Sequence, residues 1–124
     1  MPLLIIACQN RGIYSASKNK VGVSSQGVVS TAHPLATDAA INILSAGGNA
    51  MDAAIAAAFT LAVVEPTMNG LGGRTQILIY SPTSGFHGID ATTAAPNDYD
   101  YDNAPKKKYG YPSIGIPGTV KGLE

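Results

Sequence analysis

Between Ala32 and Gly73 the apolar positions fall first into a stripe and then into an unbroken run. Leu35, Ala39 and Ile43 make one i, i+4 row, and Ala36, Ala40 and Leu44 make a second beside it, which predicts an amphipathic helix with one buried stripe. Asp38, Asn42 and Ser45 fall off that stripe. Pro34 suits the first turn, where no backbone donor is needed, and Gly47-Gly48 supplies a stop where a left-handed residue carries no Cβ penalty. Asn49 then suits an N-cap, with Asp52 three residues on, where the free N–H groups and the positive end of the dipole favour a carboxylate. From Ala50 to Val64 every side is apolar, so this second helix is predicted to be buried all round, and its alanines imply close backbone approach. Pro66 ends it, because the residue before a proline is pushed out of the α region. At about 22 Å it is shorter than the roughly 20 apolar residues that span a bilayer, and Asp52 and Glu65 sit at its ends, so no membrane span is predicted.

Around this pair the pattern changes period. Gly27 to Thr31, GVVST, has the β-branched content of a short strand. After the helices, Thr67 to Arg74 is a glycine-rich connection into a strand at Gln76 to Tyr80. Ser81 to Gly85 has the composition of a turn, and Phe86 to Asp90 reads as the returning strand of a hairpin. The order strand, helix, helix, strand, strand is that of an α+β protein. From Ala91 onward periodicity is lost: Pro96, Pro105, Pro112 and Pro117 punctuate the chain, and Asp98, Asp100 and Asp102 are followed by Lys106, Lys107 and Lys108. A long surface loop or lid is expected there.

Composition narrows the class. The chain has 124 residues, 45% hydrophobic and 13% charged, which fits one globular domain rather than disorder. A formal charge of zero gives no basic surface for nucleic acid. The single cysteine, Cys8, excludes an internal disulfide. Residues 1–26 read as a mobile N-terminal arm ahead of a domain at 27–124. The run ending in Ile5-Ile6-Ala7-Cys8 resembles the box where bacterial lipoproteins are cut before a lipidated cysteine, but no basic region precedes it. A truncated export signal, leading to a periplasmic or lipid-anchored protein, and a frayed apolar terminus both remain open. An all-round apolar helix needs more cover than a few short strands offer, and the chain stops at IPGTVKGLE, the start of another helix. Together these suggest a fragment of a larger protein.

Few residues offer chemistry. Gly70, Gly72 and Gly73 follow a helix and precede a strand, the reverse of a phosphate-binding loop, so backbone packing or an anion nest beside Arg74 is the better reading. Asp98, Asp100 and Asp102 alternate like the start of a calcium loop, but Asn103 and Tyr109 stand where a glycine and a glutamate are needed, so a solvated loop is expected. His33 and His87 lie far apart with no metal-ligand spacing near either, and His33 is expected to cap or pack. No Ser-His-Asp set and no G-x-S-x-G elbow occurs. The residues hold no complete catalytic apparatus and call for no cofactor or metal.

Taken together, VVSTAHPLATDAAINILSAGGNAMDAAIAAAFTLAVVEP, then NGLGG, a strand, a D-x-x-x-A-A-P segment at Asp90 to Pro96, and SIGIPGTVKGL resemble the γ-glutamyltranspeptidase family over about Gly27 to Leu123. The resemblance implies part of an N-terminal-nucleophile hydrolase, a four-layer αββα fold made as a precursor that cuts itself into a large and a small subunit. It further implies that the N-terminal threonine of the small subunit attacks a γ-glutamyl amide, with its own α-amine as base, and passes the acyl group to water or an amino acid. This chain would match the N-terminal part of the large subunit and be inactive alone. Its partners would be the rest of that subunit, the small subunit and a γ-glutamyl small molecule. The family carries an arginine for the substrate α-carboxylate in the segment matching Asp90 to Pro96, and here Thr92 stands in its place. Arg74, after the glycine turn, is a candidate replacement, against the plainer reading of an arginine at a strand end facing solvent. An acylase acting on a β-lactam side chain or another amide is an alternative within the fold. A non-catalytic remnant that binds a partner through the exposed face of the Ala50 to Val64 helix is an alternative outside it.

Overall fold

The computed structural model describes residues 23–104 and 107–124. Most of the predicted arm, with Cys8, and one of the three consecutive lysines, Lys106, lie outside the described residues. The chain divides into two compact units, one ending at Val64 and one running from Glu65 to Glu124.

The first unit is a pair of helices, α1 (Pro34–Ser45) and α2 (Ala50–Val64). The His33 backbone is extended, and its Nδ1 accepts the Leu35 N–H at 3.2 Å, so this histidine caps α1 as its position predicted. Thr31 adds a brace, its hydroxyl donating to the His33 carbonyl at 2.8 Å and lying 2.7 Å from the Thr37 hydroxyl. At the other end Gly47 takes φ 93°, the Gly47 N–H reaches the Leu44 carbonyl at 3.1 Å and the Gly48 N–H the Ile43 carbonyl at 2.9 Å. That pair of bonds is a Schellman closure, which needs a left-handed residue at Gly47. Directly after it, Asn49 Oδ1 accepts the N–H groups of Met51 and Asp52, and Asp52 Oδ2 accepts the Asn49 N–H at 2.9 Å. This reciprocal capping box starts α2.

The helices meet through Ala36 and Ala40 on one side and Ala53 and Ala57 on the other, with Val29, Ile43, Leu44 and Leu61 packed around them. Of the two rows predicted on α1, the one with Ala36 and Ala40 is buried, while Leu35 of the other row is exposed. α2 differs from expectation. Within this chain only Ala53 and Ala57 of α2 are buried, Phe59 is exposed, and Val63 is 77% exposed. One helical neighbour buries one stripe of an all-apolar helix, and the remaining residues are half-buried or exposed. Gly27 to Thr31, read above as a short strand, joins no sheet among the described residues. Val28 to Thr31 line an apolar groove with Leu44, Ala57 and Leu61, so the segment's neighbours are helical side chains rather than another strand. No helix among the described residues is long and apolar enough to cross a membrane.

The second unit is built on an antiparallel hairpin, β1 (Thr75–Ser81) and β2 (Gly85–Ala91), paired from Thr75 with Ala91 to Ser81 with Gly85. Gly85 closes the turn at φ 78°, a value that suits glycine. Leu78, Tyr80 and Phe86 point outward, and the Tyr80 and Phe86 rings lie 4.9 Å apart. Beyond β2 the described residues up to Gly118 form the mostly exposed, irregular loop expected. It runs through an Asx-type turn at Asp100, a 3-10 turn at Tyr111–Ser113 and an isolated bridge between Ala94 and Ile116 into a short helix, α3 (Thr119–Leu123).

Candidate functional site at the open end of the hairpin

β1 and β2 separate where Arg74 enters and Thr92 leaves. The register pairs Thr75 with Ala91, so one step outward sets Arg74 across from Thr92. Asp90 bends the exit, its Oδ1 accepting the Thr92 N–H at 3.1 Å. Two residues later the chain is pinned: the Ala94 N–H reaches the Ile116 carbonyl at 3.1 Å, and the Ile116 N–H returns to the Ala94 carbonyl at 2.8 Å.

The segment leading into α3 closes on this exit through its glycines. A Cβ on Gly118 would overlap the Ala91 carbonyl and come within 2.7 Å of the Thr92 oxygen. One on Gly122 would overlap the Ala91 side chain, and one on Gly115 would lie 2.9 Å from Thr93 Cβ. At Gly118 backbone meets backbone, while Gly115 and Gly122 leave room for the Cβ atoms of Thr93 and Ala91. At the centre the Thr75 hydroxyl donates to Thr119 Oγ1 at 3.0 Å, and Thr119 is only 7% exposed, the one buried polar residue among those described.

The two residues singled out from the sequence are therefore neighbours across the hairpin mouth. Arg74 is exposed, and among the described residues its guanidinium makes no ion pair or hydrogen bond; Thr92 is half-buried. The ion pair that is present, Lys121 with Glu124 at 2.6 Å, lies in solvent and adds little. The glycine turn before Arg74 is closed by the Gly73 N–H on the Gly70 carbonyl at 3.1 Å, and none of its glycines has a left-handed φ. An anion nest of alternating right- and left-handed residues is not formed by these glycines, and close backbone packing holds for Gly73 alone, since a Cβ on Gly70 or Gly72 would meet open space. A Cβ on Gly73 would crowd the Gly70 carbonyl at 3.1 Å.

Elsewhere the candidate groups are engaged locally. His87 Nε2 lies 2.8 Å from the Ser84 hydroxyl at the closed end of the hairpin. The Asn103 side chain, with the backbone N–H groups of Asn103 and Asp102, holds the Asp100 carboxyl below the ordinary aspartate value. Among the described residues no group of three His, Cys, Asp or Glu side chains comes together to hold a metal. The hairpin mouth can bind through one cation and several hydroxyls; none of these residues has a base placed to activate a nucleophile. Sequence reasoning missed Thr75, Thr119 and the glycines at 115, 118 and 122. Their signal was present in the spacing of those glycines around Pro117, which crowds small residues at the start of a helix.

Comparison with known proteins decides the lineage. A family model described as Gamma-glutamyltranspeptidase matches residues 36–124. The chain belongs to the γ-glutamyltranspeptidase family. It corresponds to the N-terminal part of that family's large subunit. It is 39% identical over 116 residues to the glutathione hydrolase proenzyme of Bacillus subtilis (strain 168), a match that covers 85% of this chain and 20% of the relative. It is 37% identical over 123 residues to the acylase ACY 1 proenzyme of Pseudomonas sp. (strain V22), covering 85% of this chain and 22% of that one. Among solved structures, the γ-glutamyltranspeptidase of Helicobacter pylori superposes with a TM-score of 0.73 at 31% identity, over 83% of this chain and 32% of that chain. The chain thus spans about one fifth of the length of its sequence relatives. The structural neighbours are N-terminal-nucleophile hydrolases, so this α+β chain, two helices and an antiparallel hairpin, is a partial form of that fold.

Proposed function

We propose that this chain contributes part of the large subunit of a two-subunit γ-glutamyl amide hydrolase or transferase, whose threonine nucleophile lies on a small subunit outside this sequence. Chemistry at that threonine splits amide cleavage into acylation and transfer to water or an amine. The observation that carries the reading is the family match over residues 36–124, joined to a hairpin mouth that presents a free guanidinium beside hydroxyls. Arg74 takes the acidic end of the substrate, because Thr92, a neutral hydroxyl, offers no charge to a carboxylate. A guanidinium fork matches a carboxylate in both geometry and charge.

A second reading, an acylase of the same family, is favoured by Thr92 itself and by the likeness to the Pseudomonas acylase proenzyme. A neutral site suits an acyl group with no carboxylate.

The test begins with the intact mass, under denaturing conditions, of the product purified from its own cells. Two chains, the smaller starting with threonine and the larger containing this sequence, support the proposal. A single species near 12.7 kDa overturns it and leaves a non-catalytic, partner-binding module. On the two-chain enzyme, Arg74→Ala is expected to raise KM for γ-glutamyl amides by about tenfold or more, the scale of a lost charged hydrogen bond. An unchanged KM for every γ-glutamyl substrate removes Arg74 from the site. Preference for neutral acyl amides selects the acylase reading.

A further inference from the structure

Arg74 and Thr92 leave the hairpin on opposite strands, and each adjoins a residue held by the segment around α3. Arg74 precedes Thr75, whose hydroxyl donates to the buried Thr119 Oγ1 at 3.0 Å. Thr92 follows Ala91, on whose carbonyl and side chain Gly118 and Gly122 sit so closely that neither tolerates a Cβ. One short stretch, Gly118 to Gly122, therefore grips both sides of the mouth, through a hydroxyl pair on one side and bare backbone on the other. Thr75 and Thr119 are 44 residues apart, so their bond is a tertiary tie with no local geometry to enforce it.

We propose that Thr119 is a positioning residue for acyl-substrate recognition: its hydroxyl, by accepting from Thr75, fixes the separation of Arg74 from Thr92 and presets the mouth for a carboxylate-bearing acyl group. The inference rests on the functional reading above. Thr119 touches no substrate; it acts through Thr75. Losing the acceptor while keeping the side-chain shape leaves the Thr75 hydroxyl without its partner in a part-buried place, and β1 then enters the hairpin without a fixed start. A binding group displaced by a fraction of an ångström loses affinity for the group it holds, while the nucleophile, on another subunit, keeps its rate.

The experiment uses the two-chain enzyme with Thr119→Val, which keeps the branched shape, and Thr119→Ser, which keeps the acceptor. Expected for Thr119→Val is a roughly tenfold higher KM for γ-glutamyl amides, kcat within about twofold, and no change in KM for neutral acyl amides. Thr119→Ser is expected to restore KM. A second readout needs no substrate: hydrogen exchange at the Thr92 and Ala94 amides, which are bonded to Asp90 and Ile116, speeds about tenfold in Thr119→Val, with the middle of β1 and β2 unchanged. Unaltered exchange at both amides overturns the proposal, as does an unchanged KM with apparent kcat lowered only in proportion to lost folded protein. Faster exchange in an enzyme that shows no preference for γ-glutamyl substrates upholds the positioning role and overturns the substrate assignment alone.

Discussion

In the first unit α1 and α2 approach through Ala36, Ala40, Ala53 and Ala57, whereas in the second α3 and the segment before it reach the end of β2 and the residues after it through Gly115, Gly118 and Gly122. Both contacts rest on small residues, but they fail in different ways. An alanine stripe is a side-chain surface, repeated along a helix, and it tolerates adjustment by sliding. The contact at Gly118 is backbone on backbone, with nothing that can turn aside. The helical pair is therefore a packing element, and the glycine contact acts as a fixed joint beside the hairpin mouth. Four substitutions or titrations bear on that contrast.

The largest effect is expected at the joint. Gly118→Val would place its side chain in the Ala91 and Thr92 carbonyls, and overpacking against an unyielding backbone costs about 3 kcal/mol, the upper end of such changes. Thermal unfolding with hydrogen exchange should show protection lost across 90–94 and 116–123 while α1 and α2 keep theirs; equal loss in both units would erase the distinction. Ala40→Leu inserts three carbons between the helices and should cost about 2 kcal/mol, with the damage confined to α1 and α2. Calorimetry that shows a neutral effect would mean the helices part easily and the stripe is not close-packed. Asn49→Ala removes the acceptor for the Met51 and Asp52 N–H groups and should cost about 1 kcal/mol, seen as faster exchange in the first turn of α2. A protein as stable as the wild type would show that the Schellman closure alone starts α2.

The smallest effect concerns pH. Hydrogen bonds lower the Asp100 pKa on folding, so their contribution is fully present above the unfolded value of about 3.9 and disappears as pH falls through the folded value. An NMR titration should find the Asp100 midpoint below that of an unfolded aspartate, with the Asp102 and Asn103 amides shifting in step. A midpoint at the ordinary value would show that the turn is not held by this carboxylate.

The same contrast explains what could be read from the residues alone. α1 and α2 were legible because periodicity, Pro34, Gly47-Gly48 and the Asn49/Asp52 pair are all local signals, each within one turn of the feature it sets. The hairpin was legible for the same reason, its strands and turn lying within a single run from Gln76 to Asp90. The β-branched residues of Gly27 to Thr31 suggested a strand, but the segment lies against helical side chains, and that depended on the helices it packs beside. The partial burial of α2 followed from how much of the family fold one chain supplies, a matter of total cover rather than of pattern. Arg74 and Thr92 could be named, but their juxtaposition required the register. The link from Thr75 to Thr119 had no local trace at all.

That link also sets an order in time. The helical pair and the hairpin close over short loops, events of microseconds, whereas joining Thr75 to Thr119 requires closing a loop of 44 residues against a larger entropy. During refolding the mouth should therefore be the last part to mature. Pulse-labelled exchange is expected to find Ile77 and Ile79 protected before Gly122, whose N–H bonds the Gly118 carbonyl, leaving an interval in which the hairpin exists and its tie to α3 does not.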